Sequence, residues 1–282
     1  MTLNYLYINL DRVPERAEFM EQQFKRMGLS GQLKRVSATD ALTMPPEPRY
    51  QPHRWGPRWE LSKSEVACFI SHRRCWEKML ADDLDHIVVL EDDVFVSEEL
   101  GAAVEDIISH SPKDFDVVKL DGVPQVCLYG KIMPVGGGRH LREVLQVSAS
   151  AACYLVSRRG AERLVVESEQ FCDHLDDFIF NPASGRTILQ LDPAVAVQAI
   201  WSEQPNIETI GETVKTSERT QDPKINPQKS KGPVLYRLLK DLKRNARKLS
   251  RKLYRDRALL ASGGLIGTPR LAADLGQYKK PF

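Results

Sequence analysis

No stretch of this 282-residue chain offers the ~20 consecutive uncharged apolar residues that a membrane-spanning helix needs. The apolar opening from Leu3 to Leu10 also lacks the basic flank and small-residue cleavage site of a secretory signal, so the chain reads as neither secreted nor integral. No C-x-x-C pair is present. The five cysteines, Cys68, Cys75, Cys127, Cys153 and Cys172, are odd in number and scattered, which argues against a disulfide framework or a zinc knot and suits free thiols in a reducing cytoplasm. Four of them stand among apolar neighbours, where cysteine behaves as a small hydrophobe. Internal repeats are missing too. What remains is an ordinary soluble composition, 42% hydrophobic and 28% charged, in a length that suits one sizeable α/β core plus an appendage.

The net charge of +2 conceals an uneven distribution. Lys231 to Arg257 holds eleven basic residues against Asp241 and Asp256, a local excess of +9, whereas residues 1–230 carry −9. An acidic body and a basic tail are built for different partners.

Along the chain, Leu3 to Asn9 has the length and composition of a strand, and Pro14 to Met27 shows helical spacing ended by Gly28. Leu33 to Val36 reads as a second strand. Five prolines between Thr43 and Glu60 predict an irregular loop, a candidate lid or acceptor wall. Ser62-Lys63-Ser64-Glu65 matches a capping box and predicts a helix to about Leu80. His86 to Leu90 is a continuous apolar strand followed by Glu91-Asp92-Asp93, with a helix expected from Ser97 to about Ser109. Val117 to Leu120 repeats the plan and ends at Asp121. Ala151 to Val156 reads as a strand, Ser157 to Val166 as a helix, Phe171 to Asn181 as a helical turn, and Thr187 to Leu191 and Ala194 to Ala199 as closing strands. Strands alternating with helices predict an α/β fold with a mostly parallel central sheet flanked by helices.

Ligands of open α/β sheets bind beyond the carboxyl ends of the strands. Three acidic signals fall there: Asp11, the Glu91 to Asp93 triplet, and Asp121. Hard divalent cations take one or two such carboxylates together with substrate phosphates. The plainer alternative for each is a solvated acidic turn.

Four blocks carry a resemblance. Ile8-Asn9-Leu10-Asp11-Arg12 with Glu15-Arg16, Glu65 through Ser71-His72 and Trp76, Val89-Leu90-Glu91-Asp92-Asp93-Val94, and Ala151 to Leu155 followed by Ser157 to Leu164 occur in this order. Together they are similar to glycosyltransferase family 25, the lipooligosaccharide galactosyltransferase-like group, over about residues 3–200. The resemblance implies a GT-A-like nucleotide-diphospho-sugar transferase fold, a UDP-sugar donor, Mn²⁺ or Mg²⁺, and inversion at the anomeric carbon. It implies a metal held by Asp93 with Glu91 or Asp92 nearby, and donor contacts from Asn9, Asp11, Arg12, Arg16, Glu91, Asp92, Ser71 and His72; Asp121 joins the donor-binding candidates from its place just past a strand end. Single displacement needs a base for the acceptor hydroxyl, and Asp176 stands where the family carries an aspartate. His174 and Leu175 replace the usual proline-containing lead-in, so Asp173 and Asp177 remain alternatives for the same role. Ala67 stands where the family often has glycine.

The expected organisation is a catalytic domain over 1–200, a polar linker over 201–233, a basic amphipathic membrane-association helix over 234–260, and a tail over 261–282. Leu235, Leu238, Leu239, Leu242, Ala246, Leu249 and Leu253 recur at helical spacing with basic residues on the other faces, the pattern of an interfacial helix on anionic lipid. The functional expectation is an enzyme that moves a sugar, galactose by family precedent, from a UDP-sugar to a hydroxyl of a lipid-linked or lipopolysaccharide-type saccharide. It would be cytoplasmic and peripherally attached to the inner face of the cytoplasmic membrane. A nucleotidyl- or phosphotransferase could use the same carboxylates. A nucleic-acid-binding protein acting through the tail is the alternative of another class, disfavoured by the acidic body and the tail's few aromatics.

Overall fold

The computed structural model describes residues 3–52, 60–111, 114–203, 233–235, 237–239, 241–242, 245 and 256–279. Its centre is an eight-stranded sheet in the order β2-β1-β3-β10-β5-β11-β9-β8. The strands are β1 (Asn4–Asn9), β2 (Leu33–Ser37), β3 (His86–Glu91), β5 (Val117–Lys119), β8 (Met133–Gly136), β9 (Arg139–Glu143), β10 (Cys153–Ser157) and β11 (Ile188–Asp192). A three-stranded sheet joins β4 (Val94–Val96), β12 (Ala196–Gln198) and β6 (Asp121–Gly122). The period of two decides the layering: in β1, Tyr5 and Tyr7 enter one apolar cluster while Leu6 and Ile8 enter the other. On the first face lie α1 (Pro14–Arg26) and α3 (Leu100–His110), and on the second α2 (Lys63–Ala81) and α4 (Arg158–Glu167).

The expectation of a mostly parallel sheet is corrected. β1 runs parallel to β2 and β3, and β5 to β11, but β10 is antiparallel to both β3 and β5, and β9 to both β11 and β8. A continuous apolar run reports burial on both faces, which β10 has, and carries no information on strand direction. The fold is therefore mixed α/β around a large central sheet.

Local chemistry explains the helix starts. Ser62 Oγ accepts from Glu65 N while Glu65 Oε2 accepts from Ser62 N at 2.8 Å, the reciprocal capping box. Ser157 Oγ caps α4 through Gly160 N at 3.1 Å. A Cβ at Gly160 would lie 2.0 Å from the Asp116 carbonyl oxygen, so this position of α4 admits only glycine. α3 starts at Leu100 rather than Ser97. Ser97 Oγ donates to Asp274 at 2.8 Å and the Glu98 N–H donates to the same carboxylate, so a distant residue satisfies this helix entry. Residues 43–52 are irregular as expected, while 53–59 of that loop lie outside the described residues.

After 204–232, which also lie outside the described residues, the chain returns to the body. α6 (Asp256–Ala261) leads into β13 (Leu265–Gly267), which pairs antiparallel with β7 (Cys127–Tyr129). Ala272 and Leu275 enter the first apolar cluster, and Tyr278 bridges to Ser202. Leu271, Ala272, Leu275 and Tyr278 thus pack in the same core as β4 and β12, and Leu265 packs against the second cluster. Of the expected basic helix, the described Val234, Leu235, Leu238, Leu239 and Leu242 are 51% to 71% exposed. No helix among the described residues is long and apolar enough to cross a membrane.

Candidate active site

Parallel pairing of β1 with β3 sets Ile8 opposite Glu91 and brings the ends of both strands to one edge. Just past them, Asp92 is locked: Asn9 Nδ2 donates to its Oδ2 at 2.7 Å and Arg16 Nη1 to its Oδ1 at 3.1 Å. Asn9 Oδ1 in turn accepts from Arg35 Nε at 2.9 Å. Gln198, at the end of β12, donates Nε2 to Glu91 Oε2 at 2.9 Å and lies 3.5 Å from Asp93 Oδ1. Burial raises the Asp93 carboxyl to about 8, and the neighbouring Glu91 and Asp92 charges push the same way. With both Asp92 oxygens taken by Asn9 and Arg16, Glu91 and Asp93 remain as hard-oxygen groups on the cleft wall, the kind of ligand a divalent cation takes together with substrate phosphates.

Beneath this edge lies a second polar layer. Lys119 and Asp121 are fully buried and paired at 2.7 Å, with the ammonium 4.7 Å from the Phe180 ring centroid. Lys119 also donates to the Ser150 carbonyl, and Ser150 Oγ donates to Asp121 Oδ2 at 2.6 Å. Burial pushes the Asp121 carboxyl up, and the Lys119 ammonium and Ser150 hydroxyl pull it back. Ser150 holds a left-handed backbone with φ 68°. In that conformation its N–H donates to Asp176 Oδ2 at 3.1 Å, while Asp176 Oδ1 accepts from Asp177 N at 2.9 Å. Asp176 lies in the first turn of the short helix α5 (Leu175–Ile179).

The layers meet in a cleft of about 630 Å³ whose wall includes Arg16, Glu91, Asp92, Asp93, Gln198 and Asp176. α2 contributes Glu65, Cys68, Ser71 and His72. The Ser71 hydroxyl is committed to the Ala67 carbonyl at 2.7 Å and accepts from Thr39 N at 2.8 Å, so it ties the loop after β2 to α2. His174 Nδ1 sits 3.3 Å from Glu65 Oε1, joining the α2 cap to the approach of α5.

Of the residues singled out from sequence, Arg16, Ser71, His72, Glu91, Asp92, Asp93 and Asp176 line this cleft. Asn9 and Asp121 stand behind it as clamps. Asp11 and Arg12 do not reach it: Asp11 pairs with Arg35 at 2.7 Å and accepts from Ser37 Oγ, and Arg12 pairs with Asp40 at 2.9 Å. Asp173 and Asp177 are likewise not among the cleft residues. Sequence reasoning missed Cys68, Ser150 and Gln198. The spacing of Cys68 four residues before His72 was a readable signal, since i and i+4 share a helix face; nothing local marks Ser150 or Gln198.

A family model described as glycosyltransferase family 25 (LPS biosynthesis protein) matches residues 1–179. Lipooligosaccharide biosynthesis protein lic2B of Haemophilus influenzae is 26% identical over 272 residues, 90% of this chain and 97% of that protein. Lacto-N-neotetraose biosynthesis glycosyltransferase LgtB of Neisseria gonorrhoeae is 29% identical over 154 residues, 50% of this chain and 54% of that protein. Among solved structures, a Drosophila β1,4-galactosyltransferase 7 in complex with manganese, UDP-Gal and xylobiose aligns at a TM-score of 0.36 and 11% identity, covering 82% of each chain. Taken with the fold and the cleft, the sequence relatives make this protein a glycosyltransferase, an enzyme that takes a nucleotide-sugar donor and a saccharide acceptor. The chain belongs to glycosyltransferase family 25.

Proposed function

We propose that the cleft transfers a sugar, galactose first among candidates, from a UDP-sugar to a hydroxyl of a lipid-linked or lipopolysaccharide-type saccharide, with inversion at the anomeric carbon. The observation that carries this reading is one cleft holding both a cluster of carboxylates and a separate, backbone-anchored carboxylate, Asp176. In a single displacement the acceptor oxygen forms the new bond to the anomeric carbon, its proton passes to Asp176, and the bond to the diphosphate breaks. Two backbone N–H groups fix the orientation of Asp176 and leave its outer lone pairs for that proton. Asp93 and Glu91 would hold Mn²⁺ or Mg²⁺, which supplies Lewis-acid neutralisation of the leaving diphosphate. Arg16, through Asp92, keeps the Glu91 to Asp93 turn in place and sets a guanidinium at the donor end.

Location belongs to the basic segment. Eleven basic residues and a leucine stripe between Lys231 and Arg257 suit the anionic inner face of the cytoplasmic membrane, where each cation near the surface contributes ~1 kcal/mol. The described leucines of the stripe are exposed, as such a surface contact requires.

The test is a panel of UDP-sugars with Mn²⁺, read by UDP release and by product mass. UDP-galactose is expected to give UDP and a glycosylated acceptor; release of UMP or a new nucleotidyl product would move the protein to the nucleotidyltransferases. Asp176→Asn is expected to lower kcat by ~10² or more with donor-induced thermal stabilisation kept, while Asp173→Asn stays near normal. A kcat loss confined to Asp173→Asn would reassign the base. Asp93→Asn is expected to abolish transfer with the fold intact, and near-normal turnover at saturating Mn²⁺ would remove the metal assignment.

A further inference from the structure

We propose that Cys68, His72 and Glu91 form a second cation site, selective for a thiophilic divalent metal of the zinc class, with its open position facing the cleft. Cys68 and His72 lie four residues apart on one face of α2, and Glu91 stands at the end of β3, so all three ligands sit on rigid elements. Cys68 Sγ is 4.0 Å and His72 Nε2 3.5 Å from the same oxygen, Glu91 Oε1, and the three donor atoms lie within 4.8 Å of one another. Ligands on a tetrahedral zinc, at bond lengths of about 2.0 to 2.3 Å, are separated by about 3.3 to 3.7 Å: the His72–Glu91 pair is already at that spacing, the Cys68–Glu91 pair exceeds it by a few tenths of an ångström, and the Cys68–His72 pair, bounded at 4.8 Å, closes by at most about 1 Å.

His72 supplies an independent observation. Its side chain is 1% exposed, yet Nε2 makes no hydrogen bond among the described residues. The opposite ring nitrogen, Nδ1, is held 3.0 Å from Tyr154 Oη, which also accepts from Trp76 Nε1 at 2.8 Å. That is the arrangement of a metal-binding imidazole: one nitrogen anchored to a buried oxygen, the other aimed at the ion. Thiolate, imidazole and carboxylate together prefer zinc or cobalt over the hard cations that suit carboxylates alone. Glu91 presents Oε1 to this site and Oε2 to Gln198, on the side of Asp93. The softer site therefore adjoins the donor end without depending on which sugar is moved.

The experiment titrates the metal-free full-length protein with Co²⁺ as probe. One equivalent is expected to produce the near-ultraviolet thiolate-to-cobalt absorption, bleached by one equivalent of Zn²⁺ and absent from Cys68→Ser, while Cys172→Ser keeps it. On the unmutated chain, alkylation of Cys68 by iodoacetamide, followed by mass spectrometry, is expected to slow at least several-fold in stoichiometric Zn²⁺ and to be unaffected by Mn²⁺. No thiolate absorption at one equivalent, an absorption that survives in Cys68→Ser, or alkylation indifferent to Zn²⁺ would each overturn the site. The alkylation arm decides the matter even where Cys68→Ser does not fold, and because Glu91 is shared with the carboxylate site, neither readout uses transfer activity, so failure of the proposed transfer reaction leaves this test standing.

Discussion

Ser150 shows how one residue can join two parts of a site. Its left-handed backbone aims the N–H at Asp176, and its hydroxyl satisfies the buried Asp121 carboxylate. Left-handed backbone costs a side-chain-bearing residue about 1–2 kcal/mol, a strain that persists only where surrounding contacts hold it. Removing the hydroxyl leaves a buried acceptor short of a donor. Ser150→Ala is therefore expected to destabilise the fold by about 1–3 kcal/mol in urea unfolding. Ser150→Gly loses the same hydrogen bond but relieves the strain, and should be more stable than Ser150→Ala by about 1 kcal/mol. Equal stability of the two variants would mean that the backbone there is not strained. Arginines contribute at the same scale: Arg16 and Arg35, acting through Asp92 and Asn9, hold the carboxylate turn against the end of β1.

Among the elements, the C-terminal return stands out. β13 closes a two-stranded sheet with β7, and Leu275, 1% exposed, enters the cluster that also contains Val197, from β12 next to Gln198. Leu275→Ala is expected to cost about 2–5 kcal/mol, the price of an ordinary core leucine. An unfolding free energy changed by less than ~0.5 kcal/mol would instead indicate that this segment is an appendage. A chain cut after 226 loses both β13 and this apolar plug, so its failure to fold would say nothing about the membrane. Helix α4 illustrates the opposite case, in which a family block has a local cause: Ser157 caps it, and Gly160 is required by the Asp116 carbonyl against which it packs.

For the whole molecule, the division between an acidic body and a basic segment predicts where the enzyme works. Replacing Leu238, Leu242 and Leu249 together with serine keeps every positive charge and removes the apolar stripe. This variant is expected to lose sedimentation with anionic vesicles at moderate salt while keeping transfer to a soluble acceptor. Binding that survives the change and disappears only in high salt would make the segment an electrostatic arm instead. Both results are interpretable because the core residues Leu271, Ala272, Leu275 and Tyr278 are left in place.

Sequence alone determined the features whose physics is local. The capping box at Ser62, the apolar runs of β1, β3 and β5, the termination of α1 at Gly28 and the Glu91 to Asp93 triplet all arise from neighbours a few residues apart, and all stand where their spacing puts them. Tertiary structure alone decided the direction of β10, because burial does not encode polarity. It also set Asp176 rather than Asp173 or Asp177 in the cleft: Asp177 follows it by about 100° around α5, and Asp173 precedes that helix. It turned Asp11 and Arg12 outward to Arg35 and Asp40. Finally, it brought Ser150, Gln198 and Leu275 to the site and its supporting core from distant parts of the chain. Contacts of that range are fixed by how sheets and helices pack, and no window of sequence contains both partners.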